Sequence, residues 1–185
     1  REFRTQDSDT PLVLMGYLNS FERAGFARAM ADIAAAGGDA VILVDCTVEA
    51  LADYDADLKA SGITPIMLVA PTTTADRRQH ILAHAGGFLY FVSLRGVTGT
   101  QEAQADAIAA DIRTLKNETD VPVCIGFGIR DGETARQMAE LADGVVIGSA
   151  LVARLHAAFD AKQPLGDTAT AFIRDIRAHL DKEPT

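Results

Sequence analysis

The sequence predicts an α/β fold with a parallel sheet, and three observations support this. Six short apolar runs are separated by alanine-rich segments, in which apolar residues recur at helical spacing. Each run with the segment after it takes about 30 residues, which is the size of a βα unit. The runs are apolar throughout rather than alternating, which is typical of strands buried on both faces. We therefore expect parallel strands wrapped by helices.

The predicted strands come at regular intervals. They cover residues 12–15, 40–44, 65–70, 88–92, 121–125 and 144–147. Helical spacing between them is seen in Phe26, Met30 and Ile33, for example. Residues 148–180 predict two further helices after the last strand. The order is therefore βα repeated six times.

Glycine-rich turns close the last two predicted strands. Gly126-Phe127-Gly128 follows one strand and Gly148-Ser149 follows the other, each just before a helical pattern. Such turns also serve simply as tight connections. However, free backbone N–H groups without bulky side chains bind a phosphate dianion well. Paired turns of this kind after the last two strands mark the phosphate site of a TIM (β/α)8 barrel.

The predicted barrel is incomplete. If the glycine turns follow strands seven and eight, the chain holds about six C-terminal β/α units, units 3 to 8, as one partial domain over residues 1–185. We expect the first two units to precede Arg1. The third and eighth strands would then be open sheet edges.

Composition excludes several classes of protein. A net charge of -9, with 17 basic residues spread thinly, argues against a nucleic-acid partner. No apolar stretch approaches the ~18 residues of a membrane span. The cysteines, Cys46 and Cys124, lack zinc-site or disulfide spacing, so we expect a cytoplasmic location. His80 and His84 are spaced i, i+4 but lack a third ligand, so neither a metal nor another cofactor is expected.

Five segments together resemble the tryptophan synthase alpha chain family. They are Pro-Leu-Val-Leu-Met-Gly-Tyr-Leu-Asn at 11–19, Leu-Val-Ala-Pro-Thr-Thr at 68–73, Tyr-Phe-Val-Ser-Leu-Arg-Gly-Val-Thr-Gly at 90–99, Val-Cys-Ile-Gly-Phe-Gly-Ile at 123–129 and Ala-Asp-Gly-Val-Val-Ile-Gly-Ser-Ala at 142–150. The resemblance runs from about residue 11 to the C-terminal helix. It implies a carbon–carbon lyase of tryptophan biosynthesis, which cleaves indole-3-glycerol phosphate into indole and glyceraldehyde 3-phosphate. It also implies a beta-chain partner in an α2β2 heterotetramer.

The resemblance also assigns roles to residues. The family's two proton-transferring acids lie on its second strand and the following loop, so we expect both to precede Arg1. Tyr90 and Thr98 are expected to support catalysis, and the glycines flanking Thr98 suit a loop that closes over ligand. The implied phosphate-binding residues are Gly99, Gly126, Phe127, Gly128, Gly148 and Ser149.

Further residues are assigned to the indole pocket and to the partner interface. The pocket set is Met15, Tyr17, Ile42 and Val44. For the three apolar residues among them, Met15, Ile42 and Val44, packing in the barrel core is an equally good interpretation. Asp45 is the partner-interface candidate, although the family has a small hydrophobic residue and proline where this chain has Cys46-Thr47. Capping a turn is the alternative role for Asp45.

Two other functional classes remain open from the sequence. One is a different phosphate-binding barrel enzyme, such as a sugar-phosphate isomerase or epimerase. The other is a non-catalytic subunit that binds and activates a beta chain.

Overall fold

Strands and helices alternate along the chain, as the sequence predicts. The computed structural model describes residues 1–92, 101–126 and 128–181, with only the backbone for residues 101–105. The chain divides into two units, Arg1–Leu89 and Tyr90–Thr185.

The first unit contains a parallel sheet in the order β1-β2-β3. Val13 of β1 lies opposite Ala40 of β2, and Val41 of β2 lies opposite Pro65 of β3. β2 is buried along its whole length. The elements in chain order are a 3-10 helix Phe3–Thr5, β1 Val13–Gly16, α1 Leu18–Glu22, α2 Phe26–Ala36, β2 Ala40–Leu43, α3 Val48–Leu51, a second 3-10 helix Ala52–Tyr54, α4 Asp55–Ser61, β3 Thr64–Pro65, β4 Met67–Val69 and α5 Ala75–Leu82.

The third predicted strand differs from the structure. Residues 65–70 were expected as one strand, but the structure divides this region into β3 and β4 on either side of Ile66. Pro65 has no N–H to donate to a sheet. The Ile66 N–H donates to the Val41 carbonyl over 2.8 Å, and β3 ends after two residues. The N–H groups of Thr64 and Ile66 both donate towards β2, so the N–H that Pro65 lacks would lie on the other side of β3.

The second unit carries strands in the order β5-β6-β7. β6 and β7 are parallel, with Cys124 opposite Gly144. The two C-terminal helices expected from the sequence are present, and the second packs a buried Phe172 and Ile176 against Ile129 and Ala135. The elements are β5 Leu89–Phe91, where the boundary between the units falls, α6 Gln101–Glu118, β6 Val123–Ile125, α7 Gly132–Ala139, β7 Gly144–Val145, α8 Ser149–Asp160 and α9 Leu165–Leu180.

None of the helices within the described ranges is both long enough and apolar enough to cross a membrane.

An aspartate immediately before a strand holds the neighbouring strand in the first unit. The Leu12 N–H donates to Asp39 Oδ2 over 2.7 Å, and the Asp39 N–H donates to the Leu12 carbonyl over 2.9 Å. Arg4 donates to the same carboxylate oxygen over 2.6 Å. This arrangement, an aspartate bonded twice to the preceding strand and once to a cation, is called the aspartate clamp below.

The second unit repeats the aspartate clamp. The Val123 N–H donates to Asp143 Oδ2 over 2.9 Å, and the Asp143 N–H donates to the Val123 carbonyl over 2.8 Å. Lys116 supplies the cation, with its Nζ 2.6 Å from Asp143 Oδ1. The hydrogen bond from Lys116, followed by the one from Val123, holds the pKa of Asp143 below its ordinary value. Both clamps lie at the amino ends of parallel strands, the end of an α/β barrel where residues serve stability.

We predict that Asp143→Asn lowers the free energy of unfolding by about 1 kcal/mol at pH 7, because the amide weakens one hydrogen bond and leaves Lys116 unpaired. A lowered native pKa stabilises the fold above the unfolded-state value of about 3.9, and this contribution is lost as the pH falls through the native pKa. Urea unfolding at a series of pH values measures this. The free energy of unfolding of the parent should exceed that of the variant by a constant amount from pH 7 down to about pH 4, and the difference should vanish at lower pH.

Asp106→Asn is the matched control, since Asp106 is an exposed aspartate of α6. Its gap from the parent should stay near zero at every pH. A gap for Asp143→Asn that persists unchanged into acid would contradict the clamp.

Candidate functional site

The first glycine turn begins directly after β6. The Gly126 N–H donates to the Phe91 carbonyl of β5 over 3.3 Å, so the start of the turn is bonded to the neighbouring strand. Gly128 has a φ of +69°, a left-handed conformation that favours glycine. A Cβ built on Gly128 would meet nothing within 4 Å. Gly128 therefore presents open backbone beyond the carboxyl end of β6.

The second glycine turn leads into α8. Gly148 is the N-cap residue and Ser149 the first helical residue, and the Val152 N–H donates to the Gly148 carbonyl over 3.1 Å. The N–H groups of Ser149, Ala150 and Leu151 come before this hydrogen bond and have no acceptor within the helix, as at the start of any helix. Gly148 and Ser149 are exposed, and a Cβ on Gly148 would meet nothing within 4 Å. A helix start of this form has the polarity to bind an anion.

Tyr90 packs directly on Gly126. A Cβ built on Gly126 would lie 2.7 Å from the Tyr90 Cζ and would overlap its hydroxyl and Cε2. The position of Tyr90 therefore requires a residue without a side chain at position 126, whether or not a ligand also approaches there. Burial raises the pKa of the Tyr90 hydroxyl, which keeps it protonated and able to donate a hydrogen bond at neutral pH.

The predicted indole-pocket residues lie on and after β1 and β2. Met15 and Ile42 are opposite each other in the sheet register, so the structure brings these two together. Ile42 is buried, whereas 57% of Met15 and 61% of Tyr17 is exposed. Val44 directly follows β2 and is half-buried. Their place at a pocket wall stays a prediction.

Asp45 has a capping contact. The Leu18 N–H, at the start of α1, donates to Asp45 Oδ1 over 2.7 Å. The N-cap residue of α1, Tyr17, supplies no side-chain cap of its own. The capping role considered from the sequence is thus present, whereas the partner-interface role stays a prediction.

A second contact between the same two segments was not anticipated from the sequence. The Tyr54 hydroxyl donates to Glu22 Oε1 over 2.6 Å, which, as the largest cause, raises the pKa of Tyr54 to about 12. The Tyr54 ring also packs on Phe26, with the centroids 4.4 Å apart. Nothing in the sequence signals this contact, because its partners are 32 residues apart. The segments after β1 and β2 are therefore joined at two points.

Cys46 lies beside these contacts. Burial, followed by the nearby carboxylates of Asp45 and Glu22, raises the pKa of the Cys46 thiol. The thiol therefore stays protonated at neutral pH and is a poor nucleophile.

Three predicted site residues, Thr98, Gly99 and Phe127, lie outside the described residues. Within the described part of the chain, no group of three or more His, Cys, Asp or Glu residues is placed to hold a metal ion.

We predict that Gly126→Ala lowers the free energy of unfolding by about 1–3 kcal/mol, because the added methyl group overlaps the Tyr90 ring. Gly166→Ala in α9 is the matched control, since it adds the same group in open space at a helical position that favours alanine and should not lower stability. Urea unfolding of both variants measures the difference. Combining Gly126→Ala with Tyr90→Ala should cost less than the sum of the single changes, and strict additivity would contradict the contact.

Comparisons with known proteins agree with this arrangement. A family model described as the tryptophan synthase alpha chain matches residues 1–180. The alpha chain of Burkholderia multivorans is 46% identical over 183 residues, which cover 98% of this chain and 66% of that protein. The alpha chain of Psychrobacter cryohalolentis is 43% identical over 152 residues, which cover 82% of this chain and 56% of that protein. The chain thus spans only part of the length of these relatives.

Solved structures give the same result. The crystal structure of the Legionella pneumophila alpha chain matches with a TM-score of 0.89 and 34% identity, over 100% of this chain and 68% of that one. A chain from the α2β2 tryptophan synthase complex of Pyrococcus furiosus matches with a TM-score of 0.82 and 31% identity, over 96% of this chain and 70% of that one. These similarities confirm the predicted TIM (β/α)8 fold class, present here as about six β/α units. The chain belongs to the tryptophan synthase alpha chain family.

Proposed function

We propose that this chain forms part of a cytoplasmic tryptophan synthase alpha subunit, a lyase that cleaves indole-3-glycerol phosphate into indole and glyceraldehyde 3-phosphate. The observation that carries the proposal is the pair of glycine turns after the adjacent parallel strands β6 and β7. They offer open backbone at Gly128 and a helix start at Gly148 and Ser149.

The phosphate of the substrate is bound at these turns. The first-turn amides of α8 donate to the phosphate oxygens, and the Ser149 hydroxyl adds a further donor. Phosphate binding is remote from the carbon–carbon bond that breaks, so its energy positions the glycerol chain rather than moving protons. Tyr90, on the neighbouring strand β5, donates a hydrogen bond towards the substrate or a catalytic carboxyl group.

The retro-aldol step needs two proton transfers. One proton is added to the indole carbon that carries the side chain, and one is removed from the glycerol hydroxyl that becomes the aldehyde. The carbon–carbon bond breaks between these two positions. Each transfer needs a carboxyl group within hydrogen-bond reach, and we assign neither to a residue of this chain. This chain supplies the phosphate anchor and part of the pocket wall.

A beta chain is the proposed partner. The segment after the carboxyl end of β2, which carries Asp45, is the proposed contact surface. Asp45 holds α1 through the Leu18 N–H, so its influence on a partner includes the position of α1 as well as its own charge.

We predict that indole-3-propanol phosphate, an unreactive mimic of the substrate, binds saturably and at least tenfold more tightly than inorganic phosphate or a sugar phosphate. Isothermal titration of the chain with the three compounds measures this. Equal affinities would favour another phosphate-binding barrel enzyme, and absence of binding would oppose the proposed site.

Ser149→Asp tests the phosphate anchor. A carboxylate in the first turn favours the helix but repels a phosphate dianion, so binding should fall by at least tenfold while the melting temperature holds or rises. Ser149→Ala should weaken binding only a few-fold, since one hydroxyl donor is lost. Equal affinity for the parent and Ser149→Asp would place the phosphate elsewhere.

Asp45→Ala and Asp45→Asn separate the capping role of Asp45 from its charge. The alanine variant should lose about 1 kcal/mol of stability, whereas the asparagine oxygen still accepts from Leu18 and should keep most of it. If α1 position governs beta-chain association, only Asp45→Ala should weaken binding in a pull-down titration. If both variants weaken it equally, the charge is what the partner contacts.

A further inference from the structure

The backbone on both sides of Tyr17 is held by residues that follow β2. The Leu18 N–H donates to Asp45 Oδ1 over 2.7 Å. The Gly16 carbonyl accepts from the Val44 N–H over 3.0 Å. Tyr17 is itself the N-cap residue of α1. The position of Tyr17 is therefore coupled to the position of α1.

A side chain of α1 also packs on this backbone. A Cβ built on Gly16 would lie 3.1 Å from Phe21 Cε2, so the Phe21 ring lies close to the residue before Tyr17. Phe21 directly precedes Glu22, the last residue of α1. A shift at the C-terminal end of α1 would therefore move a ring that packs beside Tyr17.

Tyr54 holds the C-terminal end of α1. Its hydroxyl donates to Glu22 Oε1 over 2.6 Å, and its ring packs on the buried Phe26, the first residue of α2. A hydrogen bond to an ionised carboxylate is shorter and stronger than one between neutral groups. This bond, as the largest cause, raises the pKa of Tyr54 to about 12, so the hydroxyl stays a donor at neutral pH. Tyr54 thus joins the end of α1 to the start of α2.

The Tyr54–Glu22 pair contributes more to geometry than to stability. Glu22 is exposed and Tyr54 is partly exposed, so water can bind both polar groups when the pair is broken. A hydrogen bond that water can replace adds little to the free energy of folding. The main effect of the pair is therefore to select one position of α1.

We propose that Glu22 and Tyr54 are positioning residues, which orient Tyr17 for the indole end of the substrate through α1. This inference rests on the function proposed above, in which Tyr17 lies at the indole pocket. The phosphate end of the substrate is assigned to turns of the second unit, whereas Glu22, Tyr54 and Tyr17 all belong to the first. A loosened α1 should therefore weaken recognition of the indole ring and leave recognition of the phosphate unchanged.

Single substitutions test this by isothermal titration. Tyr54→Phe removes the hydroxyl and keeps the ring on Phe26, so we expect its affinity for indole-3-propanol phosphate to fall by about three- to tenfold, with no change for inorganic phosphate. Glu22→Ala should have the same effect, whereas Glu22→Gln, whose amide oxygen still accepts, should keep most of the affinity. Asp32→Ala is the matched control, because it removes a carboxylate whose ion pair lies within α2, and it should bind like the parent.

A Tyr17→Ala background shows whether the effect passes through Tyr17. Tyr17→Ala should itself weaken binding of the indole compound, and Tyr54→Phe added to it should have no further effect. If Tyr54→Phe lowers the affinity by the same factor with and without Tyr17, or lowers it equally for inorganic phosphate, the positioning role is wrong. A parent chain that binds the indole compound no better than inorganic phosphate would instead overturn the proposed function, and this inference with it.

Hydrogen exchange tests the first step without a ligand. The amides of Leu18 and Arg23 donate to Asp45 and Asn19, at the two ends of α1. Both should exchange several-fold faster in Tyr54→Phe, whereas the Val123 amide of the second unit should not change. Unchanged exchange at Leu18 and Arg23 would show that the Tyr54–Glu22 bond does not hold α1, which overturns the inference independently of any binding result.

Discussion

The aspartate clamp is the interaction on which the position of the site depends. Parallel strands have no hairpin turn to set their register, so a contact outside the ladder adds to the burial pattern in fixing it. Asp143 bonds both the N–H and the carbonyl of Val123 and thereby aligns β6 and β7 at their amino ends. A slip of one residue would turn every side chain of a strand to the opposite face. The alignment at the amino ends thus sets where the two glycine turns lie at the carboxyl ends.

Gly126 shows how packing and ligand binding constrain one position together. Backbone approach to the proposed phosphate would by itself favour a glycine here and at Gly148, where the space around the Cα is open. At Gly126, the Tyr90 ring already occupies the space of a side chain. A substitution at Gly126 displaces Tyr90 of β5 before it affects a phosphate contact. Loss of ligand binding by a Gly126 variant can therefore be interpreted only beside a variant in which Tyr90 is changed as well.

Local sequence patterns predicted much of the fold, because burial on both faces leaves continuous apolar runs that are visible without tertiary information. Each of the six predicted strands is present, and α8 begins at the predicted Gly148-Ser149 turn. The division at Ile66 was not predicted, since residues 65–70 form one continuous apolar run. The clamps and the Tyr54–Glu22 bond were not predicted either, because their partners lie 20 to 35 residues apart and leave no local pattern. For the same reason, the sequence could place Tyr90 and Gly126 at one site but not in contact.

In α/β barrels, residues at the amino ends of the strands usually serve stability and those at the carboxyl ends carry function. Asp45 is an exception to this rule. It lies after the carboxyl end of β2, yet its carboxylate accepts from the first turn of α1 in the way that an N-cap residue would. Together with the Tyr54–Glu22 bond, it joins the segment after β1 to the segment after β2. Two hydrogen bonds between these segments restrict the position of each relative to the other. Coupling of this kind would link Tyr17, at the proposed pocket wall, to a partner bound outside the pocket.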